Sequence, residues 1–340
     1  MSDMDLSLPV GIVWIITGDC TLRCRHCLHE GKNHSELERG GQLLVADAIV
    51  SAKPFIVILS GGEPVLSPVI VPVLRKLLPL VPRIIFTTNG LLAERSDVLD
   101  LLKKWKQHVT IQVSIDGGDA AYHDALRGAG AFDAALGSLG TFSEDGLRTE
   151  INVTLTEKAT GTLEGIFAIA ERYRVERLRF GRFVPQSPAH ECLELSRDAL
   201  HQTLLEIAEL QPRYHGFAVS LPRTVRIGMN RSGCDASSKC TVLPDGSVTD
   251  CIFLGAKKSV LGHLGKNSLQ EIWSSRQAVQ RREWFRKLEH ICQSCGEPFC
   301  ASPCAALIAQ SRTSGTIPGH CPSAKSIRQS ICPPKYSPHP

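Results

Sequence analysis

Over its first 212 residues the chain repeats one pattern: a short apolar run, a cluster of turn-forming residues, then a stretch with helical spacing. Gly11-Ile12-Val13-Trp14-Ile15-Ile16 runs towards Cys20, Cys24 and Cys27. Phe55-Ile56-Val57-Ile58-Leu59 stops at Ser60-Gly61-Gly62, and Arg83-Ile84-Ile85-Phe86-Thr87 stops at Asn89-Gly90. Val109 to Ile115 stops at Asp116-Gly117-Gly118, and Ile151 to Leu155 and Leu178 to Phe180 bring the runs to six. Continuous apolar runs of this length suit parallel strands buried on both faces. Between them Val98, Leu101, Leu102 and Trp105 follow i, i+3, i+4, i+7. Phe132, Ala135, Leu136 and Leu139 do the same, as do Leu163, Ile166, Phe167 and Ala170. Six βα units predict a parallel sheet covered by helices. They are too few for a closed eight-fold barrel, so the expected fold is α/β, an open partial barrel over residues 10–212. Chemistry in such folds sits at the C-terminal ends of the strands. The cysteines after strand one, Gly61-Gly62-Glu63-Pro64, Asn89-Gly90 and Asp116-Gly117 should therefore converge.

Composition narrows the classes. With 340 residues, 43% of them hydrophobic, the chain has material for a sizeable core, and disorder over most of its length is excluded. A membrane-spanning helix takes roughly 20 apolar residues; the longest run, Val10 to Ile16, is far shorter. Asp3 and Asp5 precede it where a signal peptide would be basic. The chain reads as soluble and cytoplasmic, with no membrane partner. A net charge of +4, from 38 basic and 34 acidic residues, makes no demand for nucleic acid, and none is expected as a partner.

Thirteen cysteines stand out. At about 4% of the chain they fall below the roughly 8–10% of a disulfide scaffold, and in a reducing compartment clustered cysteines hold metal or do redox chemistry. Cys20, Cys24 and Cys27 form one group; Cys234, Cys240, Cys251, Cys292, Cys295, Cys300, Cys304 and Cys321 crowd the last third. Cys192 and Cys332 stand apart. This asymmetry suggests an N-terminal tail (1–9), the barrel (10–212), a linker (213–231), a cysteine-rich domain (232–322) and a Pro-rich tail (323–340). On spacing alone, the first triplet suits a zinc ion completed by His26 or His29, or a [4Fe–4S] cluster with one iron left without a protein ligand.

In their barrel setting the motifs resemble the radical S-adenosylmethionine (SAM) superfamily. Cys20-x3-Cys24-x2-Cys27, Gly61-Gly62-Glu63-Pro64 and Ser114-Ile115-Asp116-Gly117 carry the likeness, which covers about residues 10–210. It implies that Cys20, Cys24 and Cys27 hold a [4Fe–4S] cluster whose fourth iron is chelated by SAM. An electron from the cluster would cleave SAM to methionine and a 5′-deoxyadenosyl radical, which takes a hydrogen atom from the substrate. By the same resemblance, Gly61, Gly62, Glu63 and Pro64 receive the methionyl amine, and Ser114 and Arg127 meet the methionyl carboxylate. A guanidinium fork suits that carboxylate. The family usually has an aromatic residue before the third cysteine, against adenine; here it is His26.

The later cysteines read Cys234-x5-Cys240-x10-Cys251, then Cys292-x2-Cys295-x4-Cys300-x3-Cys304 and x16 to Cys321. Zinc ribbons share such short spacings. Together with Leu261-Gly262-His263-Leu264 and Leu269 to Trp273, the arrangement resembles the SPASM extension of radical SAM enzymes that mature peptides and proteins. The full expectation is a partial (β/α)6 TIM-type barrel with a small cysteine-rich C-terminal SPASM domain. The resemblance implies two auxiliary [4Fe–4S] clusters, one on Cys234, Cys240, Cys251 and Cys304, the other on Cys292, Cys295, Cys300 and Cys321. Fully thiolate-ligated, they would conduct electrons.

Anaerobic sulfatase-maturating enzymes carry an aspartate base directly after the third cysteine of the extension. Here that position is Ile252, and Asp250 on the other side is expected to point elsewhere. His123 and Asp124 lie in a His-Asp-x-x-Arg stretch typical of the family, for which a structural role is expected. No catalytic acid or base stands out. With strand one starting near residue 10, no N-terminal peptide-binding domain is expected, so a peptide would arrive on a separate carrier or bind the barrel mouth. The favoured reaction is oxidative maturation of a ribosomally made peptide or protein, by crosslinking or dehydrogenation. The alternative is radical oxidation, decarboxylation or rearrangement of a small metabolite such as an aminocyclitol, nucleoside or porphyrin. A non-catalytic iron–sulfur or zinc redox sensor is a third class, against which the SAM-pocket motifs argue. A flavodoxin or ferredoxin is the expected electron donor.

Overall fold

A computed structural model describes residues 7–28, 35–157, 159, 161–186, 188–222, 235–254 and 259–294. The six expected strands are all present: β1 (Gly11–Ile15), β2 (Ile56–Ser60), β3 (Arg83–Thr88), β4 (Val109–Ser114), β5 (Thr149–Leu155) and β6 (Arg177–Arg182). They pair in parallel and in chain order. Helices α1 (Arg39–Ser51), α2 (Ile70–Leu77), α3 (Ser96–Lys104), α4 (Ala120–Arg127), α5 (Ala131–Glu144), α6 (Leu163–Arg172) and α7 (Arg197–Leu210) connect them. The sheet is an open partial barrel.

Side-chain alternation, with its period of two, divides the strands between two environments. Ile12, Trp14, Ile84, Phe86, Ile151 and Val153 face the helices in one fully buried core. Their neighbours Val13, Ile85, Thr87, Glu150, Asn152 and Arg179 line an interior cavity of about 850 Å³. The inner face is thus more polar than the apolar runs imply, because a partial barrel encloses a working space and leaves only the outer face to the core.

Two elements extend the expected sheet. Ala218–Ser220, inside the stretch read as linker, forms β7 and pairs in parallel with β6. At the opposite edge β8 (Lys239–Val242) pairs in parallel with β1. It continues through β9 (Ser247–Thr249) and β10 (Val260–His263), which run antiparallel. The cysteine-rich region therefore begins as an extension of the barrel sheet. Strands of three or four residues are too short to show a period, which is why β7 and β8 escape a sequence reading. Helices α8 (Leu269–Ser274), opened by a Ser268–Glu271 capping box, and α9 (Arg276–Ser294) follow.

Candidate active site at the C-terminal ends of the strands

The loop after β1 brings Cys20, Cys24 and Cys27 to the cavity, where Gly61, Gly62, Asn89, Ser114, Arg127, His26, Cys240 and Cys251 also lie. The convergence expected from the sequence is met at the cavity wall by Cys20, Cys24, Cys27, Gly61, Gly62 and Asn89, whereas Pro64, Gly90, Asp116 and Gly117 are not part of its lining. Glu63 sits behind this wall, fully buried. Cys234, Cys295, Cys300, Cys304, Cys321 and Cys332 lie outside the described residues, as does His29. Cys292 falls in α9, and Cys192 is exposed in the short 3-10 turn Pro188–Leu193.

The two glycines fix the cysteine loop. The Gly62 N–H donates to Thr17 O at 2.8 Å and the Glu63 N–H to Asp19 O at 2.7 Å. A Cβ at Gly62 would stand 2.1 Å from Asp19 O, and one at Gly61 would stand 2.5 Å from Thr17 O. Only a residue without a side chain lets the two backbones run this close, so the first thing these glycines approach is the stem of the cysteine loop.

Glu63 Oε2 accepts from the Asn89 N–H at 2.7 Å and from Thr88 Oγ1 at 3.1 Å. Its Oε1 has no hydrogen-bond partner among the described residues. Burial pushes the carboxyl up to about 7 despite those donors and the Val65 N–H, which also favours the charged form. A buried acceptor left open beside the cysteine loop fits a ligand ammonium. Asn89 Nδ2 reaches Cys20 Sγ at 3.7 Å, so the residue links the carboxylate, through its backbone N–H, to the thiol, through its side chain. Sequence reading caught Asn89 as a turn former; its bridging role needs the third dimension.

On the other flank Asp116 is completely buried. Its Oδ2 accepts from Arg127 Nε at 2.5 Å and lies 3.3 Å from His26 Nε2, while Oδ1 accepts from the Thr154 N–H at 2.8 Å. Burial alone would raise its pKa, but Arg127, His26 and these hydrogen bonds hold it at about 2. Burial pushes His26 down to about 4, against the pull of Asp116, so the neutral ring donates Nε2–H to the carboxylate. Among the described residues, Arg127 makes no hydrogen bond through its Nη groups, which leaves them for a ligand carboxylate. His123 Nδ1 accepts from the Asp116 N–H at 3.3 Å, and Asp124 accepts from the N–H groups of Gly130 and Phe132 at the start of α5. The His-Asp-x-x-Arg stretch is structural at its first two positions.

Burial raises the Cys20 and Cys24 thiols above their ordinary value, Cys24 to about 11, with the Leu22 N–H opposing at Cys20 and Arg127 at Cys24. Among the described residues no three His, Cys, Asp or Glu side chains converge at single-ion spacing. Cys20, Cys24 and Cys27 lie near enough to influence one another and all line the cavity, a three-thiol donor set that suits a [4Fe–4S] cluster with one iron left for another ligand. On the second wall Cys240 is pushed up to about 12 by burial. Asp250 lines the cavity together with Ile252, against the expectation that it points elsewhere, and Arg281 holds it through two hydrogen bonds, 2.6 and 3.2 Å.

A family profile of the radical SAM superfamily matches residues 14–160, the span that carries this loop, the glycine clamp and Asp116. The chain belongs to that superfamily. A second profile, the iron–sulfur cluster-binding SPASM domain, matches residues 234–296. The chain is 27% identical over 327 residues to mycofactocin maturase MftC of Mycolicibacterium smegmatis, covering 88% of this chain and 79% of that one. It is 25% identical over 327 residues to AdoMet-dependent heme synthase of Methanosarcina barkeri, covering 88% and 91%. Streptococcus suis SuiB bound to S-adenosylmethionine superposes with a TM-score of 0.73 at 18% identity, over 90% of this chain and 75% of that one. This radical SAM enzyme thus uses SAM with a [4Fe–4S] cluster, and its SPASM domain carries auxiliary iron–sulfur clusters. Among the described residues no helix is long and apolar enough to cross a membrane.

Proposed function

We propose that the enzyme matures a ribosomally made peptide or protein oxidatively, by crosslinking or dehydrogenation. The likeness to the mycofactocin maturases, which runs through barrel and extension alike, carries this reading. In it Cys20, Cys24 and Cys27 hold the SAM-binding cluster. When bound, that cluster supplies the electron that cleaves SAM to methionine and a 5′-deoxyadenosyl radical able to take a hydrogen atom from substrate. Gly61, Gly62, Glu63 and Pro64 receive the methionyl amine, with Glu63 Oε1 as its acceptor. Ser114 and the Arg127 Nη groups receive the carboxylate, and His26 flanks the adenine. Cys234, Cys240, Cys251 and Cys304 hold one auxiliary [4Fe–4S] cluster, and Cys292, Cys295, Cys300 and Cys321 the other. These clusters carry electrons from the oxidised substrate. A flavodoxin or ferredoxin supplies the reducing electron in the cytoplasm, and a separate carrier delivers the peptide.

The heme synthase relatives, aligned over as much of the chain, favour a second reading: oxidation or decarboxylation of a small metabolite. One experiment separates the two. The anaerobically reconstituted enzyme, given SAM and dithionite, is expected to release 5′-deoxyadenosine. Peptides from neighbouring genes and an iron porphyrin are then offered side by side. A peptide product lighter by two hydrogens supports the first reading, and a porphyrin lighter by carbon dioxide and two hydrogens supports the second. No 5′-deoxyadenosine under any condition overturns both.

A further inference from the structure

Two arginines of β6 line the cavity, Arg179 from the inner face and Arg182 from the C-terminal end of the strand, three residues on. Arg179 sits in register with Asn152, which sits in register with Ser114. It is therefore two strands from Ser114, about 10 Å at ordinary strand spacing. Among the described residues Arg179 makes no ion pair or hydrogen bond. The Arg182 side chain is only 9% exposed; its Nη2 meets Glu194 Oε1 at 3.2 Å, and its Nε is buried without a partner among the described residues. A buried donor of a cation left unpaired is costly, and this one belongs to a residue lining the space beside the cysteine loop.

We propose that Arg179 and Arg182 bind a carboxylate of the substrate and so fix which end of it faces the SAM site. The assignment rests on reading the cavity as the substrate chamber of the proposed reaction. Glu194 offsets only one of the two guanidinium groups, so this part of the wall keeps a positive charge that suits an anion. Phe183 and Val184, from the same stretch of chain, give the walls an apolar character suited to a carboxylate on an organic frame rather than to a strongly hydrated phosphate. Guanidinium forks hold carboxylates through paired hydrogen bonds.

The test is isothermal titration of the anaerobically reconstituted, SAM-loaded holoenzyme with three probes. They are N-acetyl-phenylalanyl-phenylalanine, its C-terminal amide, and N-acetyl-glutamyl-phenylalanine amide. At least one acid is expected to bind about tenfold or more tighter than the neutral amide. The free-terminus and side-chain acids distinguish a chain end from an acidic residue as the source. Arg179→Gln and Arg182→Gln should each erase the preference, Arg182→Lys should restore part of it, and Arg213→Gln on the outer surface should keep it whole. Retained SAM binding shows that the variants fold. Equal binding of acid and amide, no binding of either acid at millimolar concentration, tighter binding of inorganic phosphate, or a preference surviving both Gln variants overturns the assignment. Loss of 5′-deoxyadenosine formation in the wild type would instead sink the proposed function.

Discussion

Asp116 and Arg127 are joined by a 2.5 Å hydrogen bond with neither side chain more than 9% exposed. The pair ties the end of β4 to the end of α4, and α4 in turn ties to the cysteine loop, because the Arg25 N–H donates to Leu126 O at 2.8 Å. Removing one partner of a buried pair leaves the other charge uncompensated. Asp116→Asn is expected to lower stability by about 3–5 kcal/mol, read by denaturant unfolding of the metal-free protein. A loss below about 1 kcal/mol would mean that Arg127 finds another partner.

Gly62→Ala tests the glycine clamp. Its new Cβ would meet the backbone oxygens of Asp19 and Gly18 at 2.1 and 2.6 Å, and neither can rotate away. The loop must move, at a cost of about 1–3 kcal/mol. Iron and sulfide bound after reconstitution should fall severalfold while the far-ultraviolet circular dichroism is unchanged. Full cluster loading would show that the loop tolerates the shift.

Glu63 makes a pH prediction. Its folded value of about 7 lies above the ordinary 4.5. Between those values the folded protein keeps a proton that the unfolded chain has released, so this group's contribution falls as pH rises through the window. It reaches a penalty of about 3 kcal/mol above pH 7. His26 and His123, both lowered to about 4, act in the opposite sense below pH 6.5. The wild type alone therefore mixes two slopes, and subtracting the Glu63→Gln stability curve isolates the carboxyl. A flat difference between pH 4.5 and 7.5 would place Glu63 in a wetter setting.

The barrel was legible because the early strands carry short apolar runs that end at turn formers, as at Leu59-Ser60-Gly61-Gly62. The site was legible where chemistry demands a residue type in a short span, as with Cys20, Cys24 and Cys27. What the chain order hides is partnership across strands. Thr154 gives its N–H to Asp116, which lies 38 residues away, and nothing local marks it. Arg179 and Arg182 sit in a strand that reads as apolar, since the period-two alternation there covers only Leu178 and Phe180. The attachment of β8 to β1 spans most of the chain, beyond the reach of any periodicity.

Cys24→Ala should abolish 5′-deoxyadenosine formation and remove about four irons per chain. Cys192→Ser, at an exposed thiol away from the cavity, should change neither. Iron quantification beside product chromatography reads both. Activity surviving Cys24→Ala would remove the triplet from the SAM-binding cluster.

The last prediction concerns Asp250 and Arg281. Asp250 directly precedes Cys251, and Arg281 lies on α9, the helix that reaches Cys292. Their paired hydrogen bonds thus join segments carrying ligands proposed for different auxiliary clusters. Arg281 also lies over the Trp284 and Phe285 rings, which fixes its fork. Asp250→Asn keeps the size of the side chain but discards its charge, so α9 loses its anchor while the barrel, whose cysteine loop is held by Gly62 and Asp116, does not. Auxiliary iron should fall, whereas the SAM-binding cluster and 5′-deoxyadenosine formation persist. Mössbauer and electron paramagnetic resonance spectra resolve the two populations. If Asp250 were instead the base of the reaction, Asp250→Asn would leave all clusters loaded, and turnover of substrate would stop.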